Sequence, residues 1–289
     1  MPRRKAAKRR KSSTHGGSPE FTVLQVPSPS VRKKTPVPSL TEIRLIPILV
    51  QEEIKSGDSI ANKLVESLRK SHERLERGDI LVIKHKIVSK AEGQVVDLAM
   101  ITPSPESVEW AAQHDLDPRV IELALRESRA VIRRQNGVLI TQTRHGFLCA
   151  NSGIDISNLD GGQHALLLPE DPDRSAKQIR SDLKRKTGFA IPVIITDSFG
   201  RPWREGLTEF AIGISGMKPL RDYRGRTDPH GYTLKASVEA VADELACAAG
   251  LVCGKLNRAP ACIVRGFPYK AETGRIHDLL RPAASDLFR

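Results

Sequence analysis

No apolar run in this 289-residue chain approaches the roughly 20 residues that a membrane-spanning helix needs; "ILVIKHKIV" and "AIPVIIT" are far shorter. A transmembrane anchor is therefore not expected. The basic N-terminus has no apolar segment of the kind a secretory signal places after its charged residues, so a cytoplasmic location is expected. Cysteine is scarce. Cys149, Cys247, Cys253 and Cys262 form no CxxC pair and have no histidine at zinc-finger spacing, which excludes a zinc ribbon or disulfide framework and leaves reduced, mostly core thiols. GxxxxGK[ST], a GxGxxG after a strand, GxSxG and HExxH are all missing, which removes P-loop, dinucleotide-fold, serine-hydrolase and zincin readings.

Charge of one sign is abundant, with a formal balance of +12, but it is unevenly placed. Residues 1 to 39 hold ten Lys/Arg against the single acid Glu20, and without them the body stands at about +3. The same stretch carries six of the nineteen prolines and little that could form a core face. Ordering it would cost backbone entropy with little burial to offset it, so residues 1 to 39 are expected to be a disordered basic Pro/Ser-rich tail. Nucleic acid enters only through this tail, whose "RRKAAKRRK" offers charge-driven contact with RNA, DNA or anionic lipid; the alternative is a solvated solubility tail.

Residues 40 to 289 alternate strand and helix patterns. "EIRLIPILV" predicts a strand interrupted by Pro47. "SIANKLVESLRKSHERLERG" predicts a helix burying Ile60, Leu64, Leu68 and Leu75, capped by Asp58 or Ser59 and closed by Gly78. "DILVIKHKIVS" reads as a strand. Residues 105 to 134 read as two helices split at "DLDP", with Ile132 on the second, followed by a hairpin turning near His145-Gly146. "DPDRSAKQIRSDLKRKTG" predicts a helix capped by Asp173 or Ser175 and ended by Gly188. "FAIPVIITD", "LTEFAIGISG" and "APACIVRG" predict core strands, with "SVEAVADELACAAGLVCG" a buried helix. The expected class is α+β: mixed sheets with flanking helices, two intertwined subdomains and no regular Rossmann fold.

Three polar clusters follow apolar strands, where α/β proteins tend to hold ligands. "KHKIVSKAEG" offers His85, Lys86, Ser89, Lys90 and Glu92; "NSGIDISN" offers Asn151, Asp155, Ser157 and Asn158; "DSFGRPWR" offers Asp197, Ser198, Gly200, Arg201 and Arg204. Asp155 and Asp197 form a candidate pair for a hard divalent cation, set against turn or cap roles for each alone. At about 4 Å such carboxylates would repel by about 4 kcal/mol at an effective dielectric near 20, a cost that Mg²⁺ or Mn²⁺ removes. Lys86 and Lys90 suit phosphates, or a solvated strand end. Arg201 and Arg204 offer forked donors to substrate phosphate or carboxylate, or surface salt bridges.

The stretches "LIPILVQEEIKSGDSIA", "GDILVIKHKIVSKAEGQ", "ANSGIDISN", "LLLPEDPDRSA", "VIITDSFGRPWREG", "FAIGISGMKPLRDYRGRTD" and "VEAVADELACAAGLVCGK" run in one order over residues 43 to 268. Together they resemble the coenzyme F420-0:L-glutamate ligase family (gamma-glutamyl ligases), with the ligase domain spanning 40 to 289 and no appended second domain. The resemblance implies that Asp155, Asp197 and Ser198 ligate metal, one or two ions of Mg²⁺ or Mn²⁺ with K⁺ as a further cation. It implies that Ile46, Pro47, Ile48, Leu49, His85, Lys86, Lys90, Asn158 and the segment at Gly254 line a GTP site. Lys255 stands where some relatives place an oxygen ligand and is expected to meet a phosphate instead. Asp155, Asp197 and Lys90 are the expected catalytic residues.

The implied reaction joins L-glutamate to coenzyme F420-0 through an acyl phosphate made from GTP, in a homodimer. Its alternatives are a related metal-dependent carboxylate–amine ligase on another substrate, or a nucleic-acid binder acting through the tail.

Overall fold

The computed structural model describes residues 42–156 and 162–286. The basic tail and Asn158 lie outside the described residues. β1 (Arg44–Ile48) contains Pro47 instead of breaking at it, with Pro47 opposite Cys262. β1 is the edge of its sheet, where a residue that donates no ladder bond is tolerated. α1 (Ile60–Lys70) is capped by Ser59 and buries Ile60, Leu64 and Leu68. It ends at Ser71, well before Gly78, because His72 turns left-handed (φ 57°); Leu75 reaches the core from the following loop.

β2 (Ile80–Lys84) was expected to continue through "HKIVS", but α2 (His85–Ala91) begins there. His85, Val88 and Ser89 recur at helical spacing and are the buried positions, so the period changes from 2 to 3.6 at Lys84. β3 (Val95–Asp97) is short. α3 (Pro105–His114) and α4 (Pro118–Arg126) are split at "DLDP" as expected, with Ser104 and Asp117 as caps and proline in each first turn.

The second helix stops at Arg126, and Ile132 belongs to β4 (Ser128–Gln135). Asn136 and Gly137, both with positive φ, turn β4 into β5 (Val138–Thr143). An Asn-Gly pair between two strands favours this turn, and it was the overlooked signal. β6 (Leu148–Ala150) completes the expected hairpin with β5, and β7 (His164–Leu166) pairs with β3.

α5 (Pro172–Thr187) is capped by Asp171, two residues before Asp173, and closed by Gly188 as expected. Asp173 is occupied elsewhere: its carboxylate accepts from the backbone N–H of Ile214 and Ile276. β8 (Val193–Arg201) and β9 (Arg204–Ser215) form a long hairpin, so Asp197 and Ser198 lie inside a strand and not past its tip. After β10 (Arg221–Asp222) and β11 (Val238–Glu239), α6 (Val241–Cys253) leads into β12 (Ala261–Arg265).

β1, β12, β2, β8 and β9 pair in that order, with β2 and β8 parallel and the other pairs antiparallel. This mixed sheet carries the main core, including Ile80, Leu81, Ile194 and Ile263, each 0% exposed. α4 packs one smaller apolar cluster against the β3–β7 pair, through Leu123 and Ala165, and another with α3 and β5, through Ala111, Ala124 and Leu139. Mixed sheets with flanking helices make the fold α+β, and the described residues form one compact unit. All four cysteines are free, three of them buried. No helix among the described residues is long and apolar enough to cross a membrane.

Candidate active site

Lys84 ends β2 beside Thr196 of β8, and Ser198 follows two residues later on the same face. Glu209 of β9 stands directly across from Ser198. The two-residue period therefore gathers Lys84, Thr196, Ser198 and Glu209 on one sheet surface. A bulge in β9 near Ile212 sets that register, shifting the strand so that Glu209 meets this group. Glu209 Oε1 accepts from Lys84 Nζ at 2.9 Å and from Ser198 Oγ at 2.9 Å, while Oε2 accepts from Thr196 Oγ1 at 3.1 Å. Lys255, just past α6, donates to Ser198 Oγ.

Burial by itself raises the pKa of Glu209, but the Lys84 ammonium, the Ser198 hydroxyl and Lys255 outweigh it and hold the carboxyl below its ordinary value. Glu209 is a buried anion with its charge fully compensated. Gly250 of α6 allows this, since a Cβ there would come within 2.6 Å of Glu209 Cγ.

Asp197 lies between these positions on the other face of β8. His85, the first residue of α2, approaches it with Nε2 3.2 Å from Oδ1, and His85 Nδ1 is 3.3 Å from Ser89 Oγ. Asp197 also accepts from the N–H of Ser198 at 2.7 Å.

Asp155 arrives from the other sheet. After β6, Asn151, Ser152 and Gly153 all take positive φ (49°, 54° and 71°), a strained run for two non-glycine residues. Buried Ser152 holds it: its N–H donates to Thr141 Oγ1 at 2.9 Å and its hydroxyl to Ala124 O at 2.7 Å. Asp155 is then fixed by paired backbone bonds with Leu166, and its carboxylate forms an ion pair with Lys86.

These groups line one cleft of about 490 Å³, within the ordinary range for small-molecule sites. Asn151, Asp155, Asp197 and Ser198 supply an all-oxygen donor set, and Asn151 Oδ1 is buried without a hydrogen-bond partner. Such donors fit a hard divalent cation. Among the described residues no three His, Cys, Asp or Glu side chains already converge at metal-binding distance.

Of the residues expected from sequence, His85, Lys86, Asp155, Asp197, Ser198, Gly254 and Lys255 line this cleft. The others do not. Ile46, Pro47, Ile48 and Leu49 lie on and just after β1, with β12 and β2 between them and β8. Lys90 is paired with Glu53. Arg201 donates to Gly206 O at 3.1 Å beside the hairpin turn, and Arg204 is exposed. Lys84, Thr196 and Glu209 were missed. The available signal was one acid within the apolar run "LTEFAIGIS".

The fold and cleft define a class: an α+β protein whose parallel β2–β8 step carries an oxygen-rich, lysine-lined pocket suited to anionic substrates and a hard cation. Residues 49–266 match the family described as F420-0:Gamma-glutamyl ligase. The chain is 44% identical over 250 residues to coenzyme F420:L-glutamate ligase of Methanothermobacter thermautotrophicus, the alignment covering 86% of this chain and 99% of that protein. The like-named protein of Methanopyrus kandleri is 40% identical over 255 residues, with the same coverage. That of Methanocaldococcus jannaschii is 42% identical over 216 residues, covering 74% of this chain and 86% of the relative. The chain belongs to the F420-0:gamma-glutamyl ligase family and is an enzyme of the ligase class.

Proposed function

We propose that this ligase joins L-glutamate to coenzyme F420-0, using GTP to activate the acceptor carboxylate as an acyl phosphate. The observation that carries the reading is the meeting, in one cleft, of Asp155 and Asp197 with the ammonium groups of Lys84, Lys86 and Lys255. The family description supplies the acceptor, F420-0, and the names of the relatives supply the amino acid. A carboxylate is a poor electrophile because oxide is a poor leaving group. Transfer of the GTP γ-phosphoryl group to its oxygen forms the acyl phosphate and releases GDP; the glutamate amine then attacks the carbonyl carbon, and phosphate leaves as the amide forms. The amine loses a proton in that step, and no covalent bond to the protein is required.

The protein's share is positioning and charge. Lys86 and Lys255 are placed to meet phosphate oxygens, with their present partners Asp155 and Ser198 exchanged for substrate. Lys84, tied to Glu209, keeps a fixed positive charge at the cleft floor. Asp155, Asp197 and Ser198, with Asn151 Oδ1, would hold Mg²⁺ or Mn²⁺, and such an ion supplies Lewis-acid neutralisation of the phosphates. His85 holds the Asp197 carboxylate in place. Arg201 and Arg204, on the hairpin turn outside the cleft, would reach only acceptor groups that extend beyond it. A homodimer fits the exposure of Leu251 and Leu256, 84% and 92% exposed around the end of α6.

The test is product mass and phosphate release from purified protein given GTP, Mg²⁺ or Mn²⁺, L-glutamate and F420-0. A glutamate-sized mass gain that needs GTP, and that falls at least 100-fold in Asp197→Asn, is expected. Absence of both product and substrate-dependent phosphate release in the wild type would overturn the assignment.

A further inference from the structure

A cavity of about 840 Å³ lies between α5, the end of β9 and residues 271–275. We propose that it is a second anion site, taking a small oxyanion of phosphate or carboxylate chemistry. It is separate from the catalytic cleft. β9 reaches both, with Glu209 in the cleft and Ser215 in the cavity, and six residues of strand span about 20 Å.

Arg180 carries the argument. Its Nε is buried and has no hydrogen-bond partner, and among the described residues no acid forms an ion pair with its guanidinium. The side chain lies against Gly216, where a Cβ would sit 2.6 Å from Nε, so the chain has given up a side chain to admit a cation left without an acceptor. Arg180 lines the cavity, and a forked oxyanion there supplies acceptors in the geometry that a guanidinium favours.

Lys177, one turn earlier on α5, and Arg275 also line the cavity, with no ion-pair partner among the described residues. The acids in the lining are engaged elsewhere. Asp171 caps α5, accepting from the Arg174 N–H at 3.0 Å. Asp173 accepts from the N–H of Ile214 at 2.8 Å and of Ile276 at 3.0 Å. Glu272 pairs with Lys218 and Lys270.

The site is also built to keep its shape. Through those two bonds Asp173 ties α5 to both other walls. Gly274 lies so close to residues 217 and 218 that a Cβ would be 2.4 Å from Met217 O. The three cations are thus presented on a braced frame.

The experiment titrates the full-length protein with inorganic phosphate and, separately, with L-glutamate, reading heat of binding and the rise in Tm that a native-state ligand produces. Saturable binding of at least one anion is expected, weakened at least tenfold in Arg180→Gln and in the double variant Lys177→Ala/Arg275→Ala. The double variant changes exposed side chains only and keeps the test valid if Arg180→Gln fails to fold. A control, Lys86→Ala/Lys255→Ala, removes cations from the catalytic cleft. Binding that persists in this control and disappears in the cavity variants supports the site, and the better-bound anion identifies the source. Binding lost in the control but unchanged in the cavity variants, or no saturable binding of either anion, overturns it.

Discussion

Glu209 shows how much of the cleft rests on one side chain. Glu209→Gln removes the charge that compensates Lys84 and leaves a part-buried ammonium facing an amide. We expect at least a tenfold fall in kcat and a loss of about 1 to 3 kcal/mol in urea unfolding. The pH dependence has a definite sign. Because the folded-state pKa of Glu209 is lowered, its contribution is present above the ordinary glutamate value of 4.5 and is lost as pH falls through the lowered folded-state value. The difference between wild type and Glu209→Gln should therefore shrink on acidification below pH 4.5. Gly250→Ala tests the same residue from the helix side. Alanine favours a helix by about 1 kcal/mol over glycine, but its Cβ would stand 2.6 Å from Glu209 Cγ, and overpacking costs about 1 to 3 kcal/mol. The clash should prevail, with activity falling while far-UV circular dichroism keeps its helical signal.

Between elements, Glu122 of α4 joins two helices through one carboxylate. It accepts from the Ser104 N–H at 3.0 Å and the Ser107 hydroxyl at 2.9 Å at the start of α3, and from Arg126 Nε at 2.9 Å. The Ser104 N–H foremost, with the serine hydroxyls and Arg126, holds its pKa down to about 2, against 4.5 for an ordinary glutamate. Its stabilisation is thus complete above pH 4.5 and lost as pH falls toward 2. Glu122→Gln should lower the urea midpoint at pH 7, with the gap to wild type closing near pH 2. The neighbouring Asn151-Ser152-Gly153 turn, held by Thr141 and Ala124, carries Asp155 into the cleft from this same part of the chain.

Across the whole molecule, most of the positive charge and the family match fall on different parts of the chain. The first 39 residues hold most of the positive excess, and the M. thermautotrophicus relative aligns over 99% of its own length while using 86% of this chain. Deleting residues 1 to 39 should leave kcat/KM of the proposed ligase within about twofold, while any RNA or DNA retention that weakens steeply with salt should disappear. Loss of turnover in the truncated protein, with its unfolding midpoint unchanged, would assign the tail to the reaction.

Local chemistry alone determined much of this protein. Ser59, Gly188, the "DLDP" break and the hairpin at His145-Gly146 act within a few residues, so the sequence is sufficient to place them. The ordered motifs likewise carried the family and seven of the cleft residues. Tertiary structure decided the rest. "HKIVS" has β-forming residues but becomes helix because His85, Val88 and Ser89 are the positions that find a core. Lys84 and Glu209 are 125 residues apart, and they meet only because β2 lies parallel to β8 and a bulge sets the register of β9. Strand order and register are fixed by burial across the whole sheet, which no local window of sequence contains.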